Sequence, residues 1–296
     1  MPPKSPDNIP AACALMVLGV LLVAAMDATA KVLSETLPLA QIVWSRFAFH
    51  SVWLAPAALF LAGRGAFAAH FGARQLAGHA VRGLLIALST VFYFAAIRDN
   101  PIPDAIAIFF VEPVFVMFLA AIFLGEKLRR RRIFAGLAAF AGVLIVLRPG
   151  GGHYTPEILL SLAAGLAFAG YIIATKISSV RGSPLLTAWG TALAGMLIAA
   201  PFAYADWRAP DEREWILLAQ MGALAAGGHL GITYACRFAD ASLVAMFHYS
   251  EIIAAAFISY LIFNHIPDGW VWVGFALIAG AKISVTFLEM REKRRG

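Results

Sequence analysis

The chain repeats itself, and each copy holds an odd number of apolar stretches long enough to cross a bilayer. Lys31 and Trp44 return 145 positions later as Lys176 and Trp189, Arg98 and Glu112 return after 139 as Arg237 and Glu251, and Ala138 and Gly142 return after 138 as Ala276 and Gly280. The drifting offset marks small loop deletions between copies that each occupy about half the chain. Apolar runs fall at about 10 to 30, 38 to 62, 76 to 97, 102 to 124 and 133 to 148, then at about 156 to 178, 184 to 204, 214 to 236, 241 to 263 and 269 to 289. Most are near the roughly 20 residues a helix needs to span the hydrocarbon. Five spans per half send the second copy into the bilayer from the opposite side. The expected architecture is therefore an all-α membrane protein with ten transmembrane helices in two inverted five-helix repeats, 1–148 and 156–289, followed by a basic cytoplasmic tail at 290–296. Inverted repeats of this kind build secondary transporters.

Composition removes the rivals. At 61% hydrophobic and only 14% charged, with mean hydropathy +0.80, the chain is not an ordinary soluble enzyme. A transmembrane barrel would show short alternating segments, whereas these runs are continuous and rich in Leu, Ala and Gly. Lysine and arginine are retained on the cytoplasmic side of short loops. With both termini inside, the inner face holds 16 of the 23, including Lys127 and Arg129 to Arg132, and the outer face holds Lys31, Arg98, Arg148, Arg208 and Arg213. Arg46 and Lys282 are left inside spans. The net charge of +6 thus reflects topology, and no nucleic-acid partner is expected, because the Lys127 to Arg132 run is short and hemmed by two spans. The first run reads as a retained helix rather than a cleaved signal.

The stretch FFVEPVFVMFLAAIFLGEKLRRRRIFAGLAAFAGVLIVLRP carries a Glu-Pro in the fourth span, a Leu-Gly-Glu at its inner end and a Gly-rich fifth span. It resembles the EamA family of the drug/metabolite transporter superfamily, most closely the YddG-like aromatic amino-acid exporters. The second copy, FHYSEIIAAAFISYLIFNHIPDGWVWVGFALIAGAKI, is similar but has Ser250 and Glu251 at the Glu-Pro position, and Asn264 and His265 in place of Gly125 and Glu126. Lys31 and Arg46 also match common family positions. The resemblance implies the drug/metabolite transporter fold in a bacterial inner membrane, alternating access, and outward movement of small metabolites. Amino acids lead, aromatic or other apolar ones included; a nucleoside, S-adenosylmethionine, a sugar derivative or a drug-like cation is the alternative.

The residues carry their own argument. Pro113 removes a backbone donor and clashes with the preceding turn, which predicts a kink or hinge in the fourth span. Broken backbone at membrane depth must be buried in protein or line a wet cavity, so Glu112 lies beside the expected substrate path. Glu251 occupies the equivalent place in the ninth span. An ionisable group there costs about 2.5 to 3.5 kcal/mol on insertion scales, which calls for a partner or a function. Three readings stay open for each Glu: a structural pair with Arg46, Lys282 or a protonated His229 or His248, contact with a substrate ammonium, or a proton carrier that would make protons a coupling partner. Tyr93, Tyr171, His229, His248 and Tyr249 complete the candidate substrate-binding set. Aromatic rings with a few carboxylates suit a zwitterion with an apolar side chain.

Trp207, Trp215, Trp270 and Trp272, near span ends, read as interface anchors. Ala138 with Gly142 and Ala276 with Gly280 let helices approach closely. Cys13 and Cys236 have no metal spacing. Neither a metal site nor a cofactor is expected, and the Gly150 to Gly152 loop lacks the Lys and Ser or Thr of a phosphate cradle. No nucleophile, base and orienting acid occur in a context for catalysis, so no enzyme activity is expected.

Overall fold

A computed structural model describes residues 8–61, 70–99, 102–149, 155–253 and 269–293. The Gly150 to Gly152 loop, Asn264, His265 and the end of the basic tail lie outside them. The described residues are all-helical: α1 (Ile9–Leu33), α2 (Leu39–Leu61), α3 (Ala73–Asp99), α4 (Ile102–Phe109), α5 (Glu112–Leu124), α6 (Arg130–Leu147), α7 (Leu159–Arg181), α8 (Pro184–Ala205), α9 (Glu212–Phe238), α10 (Ala241–Met246) and α11 (Gly269–Lys293). Seven helical stretches among them are long and apolar enough to cross a membrane. α2 falls short of that measure because Gln41, Arg46 and His50 lower its hydropathy, and α6 because Arg130 to Arg132 put three charges into its first turn.

The principal packing runs between the halves of the sequence: α1 lies on α9, α2 on α8 and α9, α3 on α7 and α8, α5 on α7, and α6 on α11. Glycines make two of these approaches possible. A methyl at Gly19 would sit 2.9 Å from the Gly228 carbonyl on α9, and one at Gly142 would sit 2.8 Å from the Gly274 carbonyl on α11. Gly142 belongs to the small-residue pair singled out in sequence, and its neighbour across the contact is Gly274; a Cβ at Gly280 would meet no described residue within 4 Å. Trp207, Trp215, Trp270 and Trp272 are exposed, as interface anchors would be.

The fourth run is interrupted where the proline requires it. α4 stops at Phe109, a turn occupies Phe110 and Val111, and α5 starts at Glu112 with Pro113 in its first turn. Pro113 has no N–H for the Phe109 carbonyl, so that acceptor is orphaned. α7 covers it with Gly165, where a Cβ would lie only 2.8 Å from the Phe109 oxygen. The corresponding stretch of the second half also departs from the α-helix: α10 runs into a 3-10 turn at Phe247–Tyr249 before helix resumes at Ser250. His248 stands in that turn, 139 positions after Phe109.

Two polar clusters stitch the far ends together. Gly125 ends α5 at φ 68, a conformation that costs glycine little and turns the chain so that Glu126 reaches α10. The Glu126 carboxylate accepts from the Ala241 and Ser242 amides at 2.7 and 3.2 Å and from the Ser242 hydroxyl at 2.5 Å. Arg132 closes the cluster, donating to Asp240 and Ser242 at 2.7 Å each. In the second, Arg82, 1% exposed, donates to Thr191 on α8 at 2.9 Å, to Ser178 on α7 and to His79 Nδ1 at 2.6 Å. His70, just before α3, bonds Thr187 at 3.2 Å, and burial with the nearby Arg82 holds its imidazole below the usual histidine range.

Candidate functional site

Where the two irregular stretches meet, a cavity of about 70 Å³ opens. α1 contributes Val23, Met26 and Asp27; α2 contributes Arg46; α3 contributes Ile86, Ser89, Thr90, Tyr93 and Phe94. Ile106, Phe109 and Phe110 come from the first break, Phe168 from α7, His229 from α9, and His248 and Glu251 from the second. Irregular backbone at membrane depth therefore borders open space.

His248 is the centre of the acidic wall. Its Nδ1 lies 2.9 Å from Glu112 Oε2 and its Nε2 lies 3.0 Å from Glu251 Oε2, so one ring bridges carboxylates from both halves of the chain. Phe168 stacks on the ring at 4.9 Å between centroids. Glu112 is fully buried behind His248, and its Oε1 has no hydrogen-bond partner among the described residues. Glu251 is 17% exposed and faces the cavity.

Arg46 forms the basic wall. It donates to Thr90 Oγ1 at 2.7 Å and to His229 Nε2 at 2.6 Å. Because a guanidinium only donates, His229 Nε2 must carry no proton, so Nδ1–H donates to the Tyr171 hydroxyl at 3.1 Å. His229 is thereby held neutral. Tyr171 and His229 also line a much smaller space with His50.

The sequence-derived set is thus brought partly together. Tyr93, His229, His248 and Glu251 line the main cavity, Glu112 supports it from behind, and Tyr171 sits between the two cavities. Tyr249 packs away from it against Phe110 and the α6 residues Ala139 and Val143, fully buried. Pro113 defines the start of α5. Arg46 binds Thr90 and His229, and Lys282 donates to the Ser250 hydroxyl at 2.6 Å beside the Phe247 ring, so the side chain that meets Glu112 and Glu251 is His248.

Asp27 was not singled out in the sequence, yet it lines the cavity and makes no hydrogen bond to any described residue. Its signal was present: among the charged residues of α1 it is the only acid, with Lys31 one turn beyond.

The model of the EamA-like transporter family matches this chain twice, over residues 10–148 and 155–287. The chain belongs to that family. It is 26% identical over 270 residues to an S-adenosylmethionine uptake transporter of Rickettsia prowazekii, covering 90% of this chain and 88% of that one. It is 29% identical over 282 residues to a pseudopaline exporter of Pseudomonas aeruginosa, covering 95% and 97%. A riboflavin transporter of Vibrio cholerae is 28% identical over 228 residues, covering 75% of each chain. A solved structure with a TM-score of 0.81 covers 96% of this chain and 99% of its own at 20% identity, which establishes a shared fold. The EamA protein is a multi-pass, small-molecule membrane transporter. None of these three relatives carries the name of an aromatic amino-acid exporter, so the resemblance to that branch gains no support from them.

Proposed function

We propose that this EamA protein exports small zwitterionic metabolites, amino acids and their derivatives in particular, across the inner membrane by alternating access between two inverted five-helix repeats. The observation that carries the reading is the cavity's mixed lining: Arg46, Asp27 and Glu251 border one space with the rings of Tyr93, Phe94, Phe109, Phe110 and Phe168. A carboxylate meets the guanidinium in paired hydrogen bonds, an ammonium meets the acids, and the rings cover the body between them. The neutral His229 and the Thr90 hydroxyl hold the guanidinium in place.

Two further features favour alternating access. The large interfaces cross between the sequence halves, as rocking one half on the other requires, and the breaks at Phe110 and Val111 and at Phe247 to Tyr249 fall at equivalent repeat positions beside the cavity. With both termini cytoplasmic, the cluster of Glu126, Arg132, Asp240 and Ser242 closes the inner end.

The test is counterflow in proteoliposomes holding the purified protein alone. Preloaded amino acids should drive saturable uptake of a labelled one, and Arg46→Ala should abolish it. Full counterflow in Arg46→Ala would defeat this reading.

A further inference from the structure

We infer that the small space beside His50 is a binding site for one water molecule, and that this water positions Arg46 for the cargo through Tyr171 and His229. The consequence for the cargo rests on the function just proposed; the water site itself does not.

The space amounts to about 10 Å³ and lies among α2, α3, α7, α8 and α9. Phe47 and Ile86 border it with the polar side chains of His50, Tyr171, Thr191 and His229. That is room for a single water and nothing larger. His50 is fully buried, and neither of its ring nitrogens has a hydrogen-bond partner among the described residues. A buried imidazole left that way is costly, because burial strips its water and nothing takes its place. Packing keeps it there: the ring stacks on His229 at 5.7 Å between centroids, with 19° between the planes.

Two of its neighbours each have one hydrogen-bonding capacity left. Thr191 gives its proton to the Thr187 carbonyl at 2.7 Å and accepts from Arg82 Nε at 2.9 Å, which leaves one lone pair. Tyr171 accepts from His229 Nδ1–H at 3.1 Å, so its own proton is uncommitted. The Thr175 hydroxyl, one turn along α7, does not take it, having no hydrogen-bond partner among the described residues. Both nitrogens of His229 are engaged, with Tyr171 and with Arg46. One water satisfies the set: it accepts from Tyr171 O–H and donates to Thr191 Oγ1 and to a bare His50 nitrogen. A cation in its place is disfavoured by the guanidiniums bonded to two of the lining side chains, Arg46 on His229 and Arg82 on Thr191.

The water settles which way the relay points. With its proton held there, Tyr171 can only accept from His229, so the imidazole turns a bare Nε2 to Arg46 at 2.6 Å. Without it, Tyr171 O–H is free to rotate and donate to Nδ1, which moves the ring proton to Nε2 and sets N–H against N–H at Arg46. His50 is therefore a positioning residue for the guanidinium, acting through the water.

X-ray radiolytic labelling of the purified protein reads the site directly, since hydroxyl radicals formed from a bound water modify the side chains that touch it. Tyr171 and Phe47, both buried, should be hydroxylated in the wild type. The label should fall toward background in His50→Leu, which keeps an apolar body but offers the water no partner, and persist in His50→Gln, which offers a donor and an acceptor. His50→Leu should also narrow the preference for binding an amino acid over its methyl ester by about threefold or more, with His50→Gln closer to the wild type. The sign of the stability change is a further check. Removing an imidazole that has no partner would raise the melting temperature, whereas removing one bonded to water lowers it. Unlabelled Tyr171 and Phe47 in the wild type, or a His50→Leu protein that melts higher and keeps its full preference for the acid, would overturn the inference. A wild type with no such preference would instead sink the proposed function, and the labelling would still decide the water.

Discussion

Glu112 and Glu251 hold the same histidine from opposite sides, and removing the charge from each should have different consequences. Glu112 is fully buried, while Glu251 is partly exposed to the cavity. In Glu112→Gln the amide oxygen can still accept from His248 Nδ1, but the bond is no longer charge-assisted, a loss of about 1 to 2 kcal/mol on the difference between charged and neutral bonds. The amide nitrogen then falls where Oε1 has no partner, leaving a buried donor unsatisfied at about 1 to 3 kcal/mol. Together these give about 2 to 5 kcal/mol, and at about 2 to 4 °C per kcal/mol the apparent melting temperature in detergent should fall by roughly 4 to 20 °C. The folded fraction should bind substrate with near wild-type affinity. Glu251→Gln should melt closer to the wild type and bind at least about tenfold more weakly, because its carboxylate faces the cargo. A Glu112→Gln protein that melts within about 1 °C of wild type yet binds about tenfold more weakly would refute this division of roles.

Three further outcomes follow from the same geometry. Pro113→Ala restores a donor for the Phe109 carbonyl, so the purified protein should be at least as stable while turnover drops; an unchanged exchange rate would remove the break from the transport cycle. Glu126→Gln weakens charge-assisted bonds to the Ala241 and Ser242 amides, and hydrogen exchange at both should accelerate by roughly tenfold or more, with unchanged protection counting against the inner cluster as a closure. Single cysteines at Arg130 and Asp206 should be blocked only from the cytoplasm and only from outside, respectively, and the reverse pattern would invert the topology drawn from the lysine and arginine count.

Much of the helical pattern was legible because the bilayer forces long apolar runs, and the break before Glu112 was legible because proline lacks a donor whatever surrounds it. Which faces line the cavity was not. In α1 both the lipid-facing and the protein-facing sides are apolar, so periodicity does not mark the side that carries Asp27. The partner of Glu112 is 136 positions away, and it was visible as an intramembrane histidine but not as the bridge to Glu251. Arg46 invited an acidic partner, yet its two terminal nitrogens found a hydroxyl and a neutral imidazole, while its Nε meets no partner among the described residues. The Leu-Gly-Glu motif identified the family without disclosing its work: the glycine turns the chain, and the glutamate caps α10 more than a hundred positions further on.

The central claim is that one cavity reads both ends of a zwitterion. Binding of an amino acid to the purified protein, compared with binding of its methyl ester and its N-acetyl derivative, tests that most directly. The account predicts that the ester loses its hold on Arg46 and the acetylated form its hold on the acidic wall, each weakening affinity by roughly tenfold or more, with the ester's penalty vanishing in Arg46→Ala. Ester and parent amino acid bound with equal affinity by the wild-type protein would contradict it.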